Sequence, residues 1–527
     1  MIIDLNSNTD QIHLESDVLI VGAGAVGLVT AVTLAKQGIK VIILESGGEQ
    51  FEQKSQDLNA FSLTGREHDG ISEARARIVG GTTTLWGGQI VPFSSIDFES
   101  RDWISESGWP IKKDDLDDYY TQVANLLGLP VDYKEDSAVW QALNIPEPDL
   151  SNNFQVFLTR WLKETNFFKL FDYELKNNPN LTLYTHAIVV GLLSTKNNQC
   201  IDQVSTLNQF NKRFKFSAKK IIIACGTIEA SRLMLYSAAE NNQLPWSNNP
   251  WIGAFFQDHL DIQIAKVIPI DKKYFHQAFD NIFLKGYKYQ PKIRMTDDYQ
   301  RCHKTLNISS SFVFDSSISE QVSNAKLFIR ALLRGSVPEN WRELPNHLRT
   351  LFSIFAPMAI RYIKDRRILS FADKGIYLTL HCEQIPLQES QISLDCSKRD
   401  NAGVPATSLH WKVDGNEINV MANYCKNLNI NLQQAGLAQL EIDPELLALN
   451  PSILNKCRDS SHQCGGLRMA TSKEKGVVNK DLQIFGTTNM YVTGAAVFPT
   501  SSFANSTFTA MALSLRLANH VSNQMDG

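Results

Sequence analysis

The segment at residues 17–48, DVLIVGAGAVGLVTAVTLAKQGIKVIILESGG, constrains the fold more than any other part of the chain. VLIV is a short β-branched run, typical of a strand that is buried on both faces of a parallel sheet. Three glycines follow in the pattern G-x-G-x-x-G, then a stretch with helical apolar spacing, and KVIILE predicts a second strand. The segment therefore predicts a β-α-β unit.

The three glycines and the acid after the second strand have separate physical roles. Gly22 permits the tight strand-to-helix turn, Gly24 lets a pyrophosphate approach the backbone, and Gly27 lets the helix pack on the sheet. Glu45 closes the second strand, where a carboxylate accepts hydrogen bonds from ribose hydroxyls. The pattern predicts a Rossmann-like dinucleotide site. The loop alone leaves FAD and NAD open, although a Glu followed by small residues is more typical of flavin-binding chains.

Composition and charge exclude several classes of protein. The 527 residues carry a formal net charge of −4 without long charge runs, which argues against a dedicated nucleic-acid binder. The 8 cysteines are scattered with no C-x-x-C pair, as expected in a reducing compartment. The N-terminus has no secretory signal pattern, and no apolar stretch is long enough to span a bilayer. These features predict a soluble cytoplasmic protein.

Two further segments place glycines at predicted turns. RIVGGTTTLWGG at 77–88 has adjacent glycines on both sides of a Thr run, which suits close approach of a flat ligand or of another strand. Taken alone, this segment is interpreted as a structural loop. IIIACGT, within 219–237, predicts a buried strand that ends at Gly226 before a helix, as at the edge of a nucleotide crevice.

The C-terminal region contains a histidine and an asparagine whose roles the local pattern leaves open. His462 lies in SSHQCGGLRMATS at 461–473, beside glycines and without metal-ligand spacing. Residues 489–521 predict a short strand, a turn and a buried helix from about Asn505. On its own, Asn505 is interpreted as a helix N-cap.

Taken in order, these segments resemble the glucose–methanol–choline (GMC) oxidoreductase family, from near residue 17 to near residue 521. The N-terminal loop, VGGTTTLWGG, ACGTIEASRLML, IGAFFQDHL and the block from His462 to Asn505 carry the resemblance. GGTTTLWGG, the SGWPI…YY segment and EQIPLQESQISL at 383–394 most resemble the sugar-oxidising branch, with its pyranose oxidases and fructose dehydrogenases. The resemblance implies an α/β fold: a Rossmann-like FAD-binding domain and a discontinuous α+β substrate domain on a largely antiparallel sheet.

The domain boundaries follow from placing these segments on that fold. Residues 1–100, 178–260 and 456–527 are predicted to form the FAD-binding domain. Residues 101–177 and 261–455 are predicted to form the substrate-binding domain.

The middle of the chain predicts strands and one long helix. Residues 375–384, 391–396 and 407–413 predict three antiparallel strands, with a turn at DNAG 400–403. Residues 416–437 have helical spacing. The resemblance implies a six-stranded sheet with helices on its outer side.

Residues 326–369 form an apolar and basic segment that prolines and a glycine interrupt. The segment predicts a helical cap on the substrate domain. The alternative is a surface for a membrane, a lipid-linked substrate or a partner chain.

The resemblance implies bound FAD, with Gly22, Gly24, Gly27 and Glu45 at its ADP portion. Val189 falls where the family holds the adenine through backbone groups. Other residues implied to contact the cofactor, including those along the isoalloxazine ring, are Gly81, Thr82, Trp86, Gly87, Gly88, Gly226, Gly494 and Ala495. Leu85 stands where several members carry the His that links FAD covalently, so non-covalent FAD is expected.

The resemblance also places His462 and Asn505 on the family's catalytic pair. An imidazole can take the hydroxyl proton of an alcohol while the flavin takes the hydride, and an amide can donate to the same oxygen. The family usually has Pro after the Asn, where this chain has Ser506. His259, in IGAFFQDHL, is interpreted as structural, and no histidine cluster has metal-ligand spacing, so no metal is expected.

The sequence therefore predicts an FAD-dependent oxidoreductase that oxidises a CH–OH group of a sugar or glycoside. No haem motif or iron–sulfur spacing is visible, so the expected electron acceptor is O₂ or a separate carrier. The alternatives are a biosynthetic oxidase of a non-sugar alcohol, a lyase-like or photodecarboxylase-like flavoprotein, and a non-catalytic flavin-binding subunit. The oligomeric state is left open.

Overall fold

The computed structural model describes residues 1–7, 13–130, 134–151, 153–194, 198–317, 359–364, 366–367 and 370–525. Most of the cap predicted at 326–369 lies outside these residues, so that hypothesis stays a prediction. Among the described residues, no helix is both long enough and apolar enough to cross a membrane.

The helices and strands of the described residues are numbered in chain order. The helices α1 to α15 are Ala25–Lys36, Gln53–Gln56, Gly70–Glu73, Ser95–Phe98, Asp114–Leu126, Asp136–Ala142, Phe167–Leu170, Asp172–Asn177, Thr227–Glu240, Lys272–Phe279, Asp297–His303, Glu417–Gln434, Pro444–Leu447, Ile453–Lys456 and Ser506–Met525. The strands β1 to β20 are Ile2–Asp4, His13–Val21, Val41–Leu44, Phe61–Leu63, Gln89–Ile90, Phe154–Trp161, Leu181–Thr185, Ile188–Leu193, Gln203–Leu207, Arg213–Ile223, Leu260–Pro269, Ile282–Leu284, Tyr287–Met295, Ile308–Asp315, Gly375–Cys382, Gln391–Arg399, Pro405–His410, Ala438–Ile442, Arg458–Asp459 and Met490–Val492.

The first sheet contains the predicted β-α-β unit. Its strand order is β1-β7-β3-β2-β10-β9-β8, with β20 also beside β10. β1, β7, β3, β2 and β10 pair in parallel with their neighbours in this order, and β20 pairs in parallel with β10. β9 pairs antiparallel with both β10 and β8. Val18, Leu19 and Ile20 of β2 are fully buried, as expected for a central strand with both faces covered. The prediction of a parallel sheet at the N-terminus is confirmed.

The C-terminal helix α15 packs against α1 of this unit. Its buried residues lie all around the helix and include Phe508, Met511, Leu513 and Leu517. The predicted buried helix is therefore present, and it begins directly after Asn505.

The second sheet is antiparallel, with the order β18-β11-β15-β14-β13-β6-β5, and β12 and β19 on its sides. It has nine strands rather than six, because short strands such as β5, β12 and β19 extend it. Helix α12 covers one face, where the Tyr424 hydroxyl contacts Ser310 and donates to the Ile293 carbonyl. β5 lies within the range predicted for the FAD-binding domain and nevertheless pairs with β6 of this sheet.

The three strands predicted between residues 375 and 413 do not share one sheet. β15 belongs to the second sheet, whereas β16 and β17 form an antiparallel pair in a third sheet, where β4 adds in parallel. The three predicted strands are present and pair antiparallel, but they belong to two different sheets. Alternating hydrophobicity locates a strand, but it leaves open which strand lies beside it.

Candidate functional site

A cavity of about 750 Å³ opens at the carboxyl ends of β2, β3 and β10, where Val21, Leu44 and Ala224 line it. This volume is typical of ligand pockets, which measure about 300–1,000 Å³. Every predicted site residue except Gly27 lines the cavity: Gly22, Gly24, Glu45, Gly81, Thr82, Trp86, Gly87, Gly88, Val189, Gly226, His462, Gly494, Ala495 and Asn505. The fold therefore brings residues from distant parts of the sequence to one cavity.

The first glycine loop has one glycine open to the cavity and two that protein atoms crowd. A Cβ on Gly22 would lie 2.8 Å from the Ala224 carbonyl oxygen, and its φ of +104° favours glycine. A Cβ on Gly27 would lie 2.1 Å from the Gly22 carbonyl oxygen, so Gly27 allows the helix to pack and does not line the cavity. A Cβ on Gly24 would meet nothing within 4 Å. Space for a ligand is thus left at the N-terminus of α1.

Glu45 both lines the cavity and holds the glycine loop in place. Its carboxylate accepts from the backbone N–H groups of Ala23 at 3.0 Å and Gly47 at 2.9 Å. Burial raises its pKa, and these hydrogen bonds oppose the rise. The sequence predicted only a contact to a ribose, whereas the structure adds this role in fixing the turn.

The second glycine segment packs directly against the first. A Cβ on Gly81 would lie 2.9 Å from the Gly24 Cα, and the Gly80 N–H donates to the Ala23 carbonyl at 2.9 Å. Gly87 has nothing within 4 Å of its Cβ position and faces the cavity. The segment is therefore part of the cavity wall, which its pattern alone did not indicate.

His462 and Asn505 contact each other in the wall of the same cavity. The Asn505 Nδ2 lies 2.8 Å from the His462 Nε2. His462 comes from the loop after β19, and Asn505 directly precedes α15. Both side chains are partly exposed, and both line the cavity. The amide and the imidazole are placed to act on one ligand.

The other ring nitrogen of His462 has two polar neighbours. Its Nδ1 lies 2.9 Å from the Ser460 Oγ and 3.0 Å from the His259 Nδ1. The His462 backbone N–H donates to an Asp258 carboxylate oxygen at 3.0 Å. Burial, and then the neighbouring His259, lower the pKa of His462 well below its ordinary value. The imidazole is therefore neutral at physiological pH, with one nitrogen able to accept a proton.

Comparison with known proteins relates two parts of the chain to families of oxidoreductases. Residues 386–514 match the family model described as GMC oxidoreductase, and residues 17–90 match the model described as FAD dependent oxidoreductase. These matches support an FAD-dependent alcohol oxidoreductase that is similar to GMC oxidoreductases in its C-terminal part. The 2-methyl-1,2-propanediol dehydrogenase of Mycolicibacterium austroafricanum is 22% identical over 97% of this chain and 96% of that protein. The C-glycoside 3-oxidase of Microbacterium trichothecenolyticum is 25% identical over 28% of this chain and 27% of that protein.

Solved structures with a similar fold support the architecture. A fungal aryl-alcohol oxidase has a TM-score of 0.59 at 15% identity and covers 98% of this chain and 100% of its own. The R554A variant of formate oxidase from Aspergillus oryzae RIB40 has a TM-score of 0.57 at 14% identity, again over 98% and 100% of the two chains. These similarities show the shared fold. They do not distinguish a sugar-oxidising branch.

The cavity wall also has a cationic cluster that the sequence interpretation missed. Arg75, Arg77 and Arg232 surround Glu229, at 2.8, 2.5 and 3.3 Å, and Arg232 also pairs with Asp400 at 2.7 Å. Burial opposes ionisation of Glu229, but the charges of the arginines outweigh it and lower its pKa to about 2. Three guanidinium groups face two carboxylates, so the cluster has a positive excess and suits an anionic group. The R-A-R spacing just before the second glycine segment was the available signal.

These features fit FAD. The open positions at Gly24 and Gly226 leave backbone at two helix N-termini accessible to phosphates, since neither Cβ position meets an atom within 4 Å. The cationic cluster adds favourable charge for a pyrophosphate. Leu85 lines the cavity with a side chain that cannot form a linkage through a ring nitrogen.

His68, Asp258 and Asp459 form a buried group behind His462. His68 Nε2 lies 3.1 Å from Asp258, and its Nδ1 lies 3.8 Å from Asp459. Their spacing resembles that of metal ligands. However, His68 Nδ1 accepts from the Ile71 N–H, and both Asp459 oxygens accept from backbone N–H groups. Hydrogen bonds within the protein therefore already use these atoms.

Proposed function

We propose that this enzyme oxidises the CH–OH group of an alcohol to a carbonyl, with His462 as the base and Asn505 as the hydrogen-bond donor to the reacting oxygen. The observation that carries the proposal is the 2.8 Å contact between Asn505 Nδ2 and His462 Nε2 in the wall of the cavity that holds the flavin-binding loops. The names of the curated relatives, a diol dehydrogenase and a C-glycoside oxidase, support an alcohol substrate.

The cofactor would be held by other residues of the same cavity. Gly22, Gly24 and Glu45 would hold the ADP portion, Gly27 packs the helix behind it, and Val189 would lie at the adenine. The segment from Gly81 to Gly88, with Gly494 and Ala495, would lie along the ring system. When bound there, FAD would accept the hydride from the carbinol carbon.

A side chain of the protein would accept the hydroxyl proton of the substrate. His462 is neutral because its pKa is depressed, so its Nε2 lone pair can accept the hydroxyl proton. One N–H of the Asn505 amide donates to this lone pair, so a substrate hydroxyl would have to displace it from Nε2, and the amide could then donate to the substrate oxygen. Donation to that oxygen stabilises the negative charge that develops as the proton leaves.

The substrate side of the cavity involves the second sheet. Trp161 of β6 and Gln89 of β5 line the cavity, and Phe157 of β6 packs on Phe503, two residues before Asn505, with ring centroids 5.5 Å apart. This arrangement supports the proposed division into an FAD-binding part around the first sheet and a substrate-binding part around the second.

Within this proposal, a sugar or glycoside is the preferred substrate, with O₂ or a separate carrier as the electron acceptor. The resemblance of GGTTTLWGG and EQIPLQESQISL to sugar-oxidising relatives supports it, as does the partial match to a C-glycoside 3-oxidase. A second candidate is a non-sugar diol, because the match to 2-methyl-1,2-propanediol dehydrogenase extends over 97% of the chain.

Anaerobic spectroscopy of the FAD-loaded protein tests the reaction and the substrate class together. A panel of hexoses, glycosides and 2-methyl-1,2-propanediol is added without O₂, and bleaching of the flavin absorbance is followed. Bleaching by a sugar but not by the diol is expected. Bleaching by the diol alone supports the second candidate, and no bleaching by any alcohol contradicts the proposed function.

The proposed non-covalent attachment has a direct test. Acid precipitation of the FAD-loaded protein should leave all flavin absorbance in the supernatant, because Leu85 provides no linking nitrogen. Flavin that stays with the washed pellet would contradict non-covalent binding.

A further inference from the structure

We infer that His259 and Ser460 are positioning residues that hold His462 in the tautomer with hydrogen on Nδ1, which leaves the Nε2 lone pair for the substrate. The inference rests on the proposed role of His462 as base. It assigns a function in the reaction to His259, which the sequence pattern alone indicated as structural.

The ring of His259 presents an acceptor to His462. Its Nε2 lies 3.3 Å from the Ser501 carbonyl oxygen, and a carbonyl can only accept a hydrogen bond. The hydrogen of the ring is therefore on Nε2. Burial lowers the pKa of His259, so the ring is neutral and has a single N–H. Its Nδ1, which faces His462, is consequently an acceptor.

The hydroxyl of Ser460 also presents an acceptor to His462. Its Oγ lies 3.0 Å from an oxygen of Asp258, which is fully buried. Burial opposes ionisation of Asp258, but its hydrogen bond and attraction to His68 outweigh it and lower its pKa to about 2, so it accepts only. The single hydroxyl hydrogen of Ser460 is thus donated to Asp258. Toward His462, Ser460 can present only a lone pair.

The two acceptors fix the position of the ring hydrogen of His462. Both polar neighbours of its Nδ1, the Ser460 Oγ at 2.9 Å and the His259 Nδ1 at 3.0 Å, are acceptors. Two acceptors require a donor between them, so Nδ1 carries the hydrogen. In a neutral imidazole Nε2 then has the lone pair, to which the Asn505 amide N–H donates at 2.8 Å until a substrate hydroxyl takes its place. Every neighbour of the ring agrees with one tautomer.

The alternative arrangement shows why this matters for the reaction. If both acceptors at Nδ1 were lost, the ring could carry its hydrogen on Nε2, and Asn505 could turn its amide oxygen to accept it. The lone pair would then point away from the substrate. In serine proteases, a catalytic histidine in the wrong tautomer costs about 10⁴ in kcat. Asp258 and Ser501 are fully buried, which keeps the two acceptors in their assigned states.

The kinetic test removes the acceptors one at a time and together in the FAD-loaded full-length protein. In the double variant His259→Leu with Ser460→Ala, the rate constant of anaerobic flavin reduction should fall about 10²-fold or more. KM and FAD content should stay within about threefold. Each single variant should fall by about tenfold or less, because one acceptor remains. His259→Gln should recover most of the His259→Leu loss, since its amide oxygen can accept.

Cys464→Ala is the matched control for local repacking. Cys464 is buried in the same loop as His462 and donates only to the Gln257 carbonyl, at 3.6 Å. The Cys464→Ala variant should have the wild-type rate constant of anaerobic flavin reduction. A double variant that reduces its flavin at the wild-type rate would overturn the inference, as would an equal loss in Cys464→Ala and the double variant.

Nitrogen NMR reports the tautomer itself, independently of turnover. In holoenzyme labelled with ¹⁵N-histidine, the His462 signal is identified by its loss in His462→Ala. Couplings from the ring protons should show hydrogen on Nδ1 in the wild type and a mixture in the double variant. Hydrogen on Nε2 in the wild type would overturn the tautomer assignment. Wild-type turnover in His462→Ala would contradict the proposed base instead, which separates the two failures.

Discussion

The two ends of the cavity are built in different ways. At the nucleotide end, Gly22, Gly24 and Gly27 lie within one short β-α-β unit and act through backbone conformation and free space. At the catalytic end, the decisive contacts join side chains from four separate segments: His68, the Asp258–His259 pair, the Ser460–His462 loop and Asn505. The comparison teaches that a site made by local backbone is visible in sequence, whereas a site made by a side-chain network is not.

Replacement of His462 is expected to have the largest effect on the rate of flavin reduction. In His462→Ala the anaerobic rate constant of flavin reduction should fall by about 10²–10⁴-fold, because the substrate proton loses its acceptor. Bound FAD should be unchanged, since the glycine loops are untouched. His410→Ala, a histidine on β17 outside the cavity lining, should behave like the wild type. A wild-type rate in His462→Ala would remove this residue from the mechanism.

Asn505 gives the next largest effect at the same end. Asn505→Ala removes one hydrogen-bond donor to the developing oxyanion, for which about a 10²-fold loss in the reduction rate constant is expected. The matched control is Asn519→Ala on α15, the helix that follows Asn505, where the amide oxygen of Asn519 accepts from Gln37 at the surface. Equal rates for the two variants would contradict the assigned role.

A pair of glycine variants tests the nucleotide end. Gly27→Ala places a Cβ 2.1 Å from the Gly22 carbonyl oxygen, so the apoprotein should lose about 1–3 kcal/mol of unfolding free energy. Gly24→Ala meets no protein atom within 4 Å, so the apoprotein should keep its stability while FAD affinity falls. Urea unfolding and FAD titration measure the two quantities. Unchanged FAD affinity in Gly24→Ala would contradict the proposed pyrophosphate contact.

The pH dependence gives the smallest expected change. Burial, His259 and His381 lower the pKa of His462, and Asp258 and Asp261 only partly oppose them. Below an ordinary histidine pKa near 6.5, protonation would remove the lone pair and reduce the rate about tenfold by pH 5.5. Because the pKa is depressed, the reduction rate constant should change less than about twofold between pH 8 and 5.5. An acid limb centred near pH 6.5 in stopped-flow traces would contradict this.

The sequence was sufficient for elements whose determinants are close together along the chain. The β-α-β unit, the strands near residues 375–382, 391–399 and 405–410, the helix Glu417–Gln434 and the buried helix Ser506–Met525 were all located from local patterns. The pairing of β15 with β14, and of β17 with β4, was not, because partner choice depends on the packing of distant segments.

The same limit explains the residues that the sequence interpretation missed. Arg75 and Arg77 lie far along the chain from Glu229 and Arg232, and the four residues become one cluster only when α9 packs beside the second glycine segment. His259 lies next to Asp258 in a stretch that gives no local sign of a contact with His462. Neither spacing nor composition encodes such contacts.

By itself the sequence determined the nucleotide loop, because glycine conformation and a strand-terminal carboxylate act over a few residues. It also indicated His462 and Asn505 through the resemblance of their segments to a known family. Only the tertiary structure decided the hydrogen-bond direction at His462, because that direction depends on the Ser501 carbonyl and the Asp258 carboxylate, which the fold buries beside it. Proton positions follow from neighbours in space, and those neighbours are set only when the chain is folded.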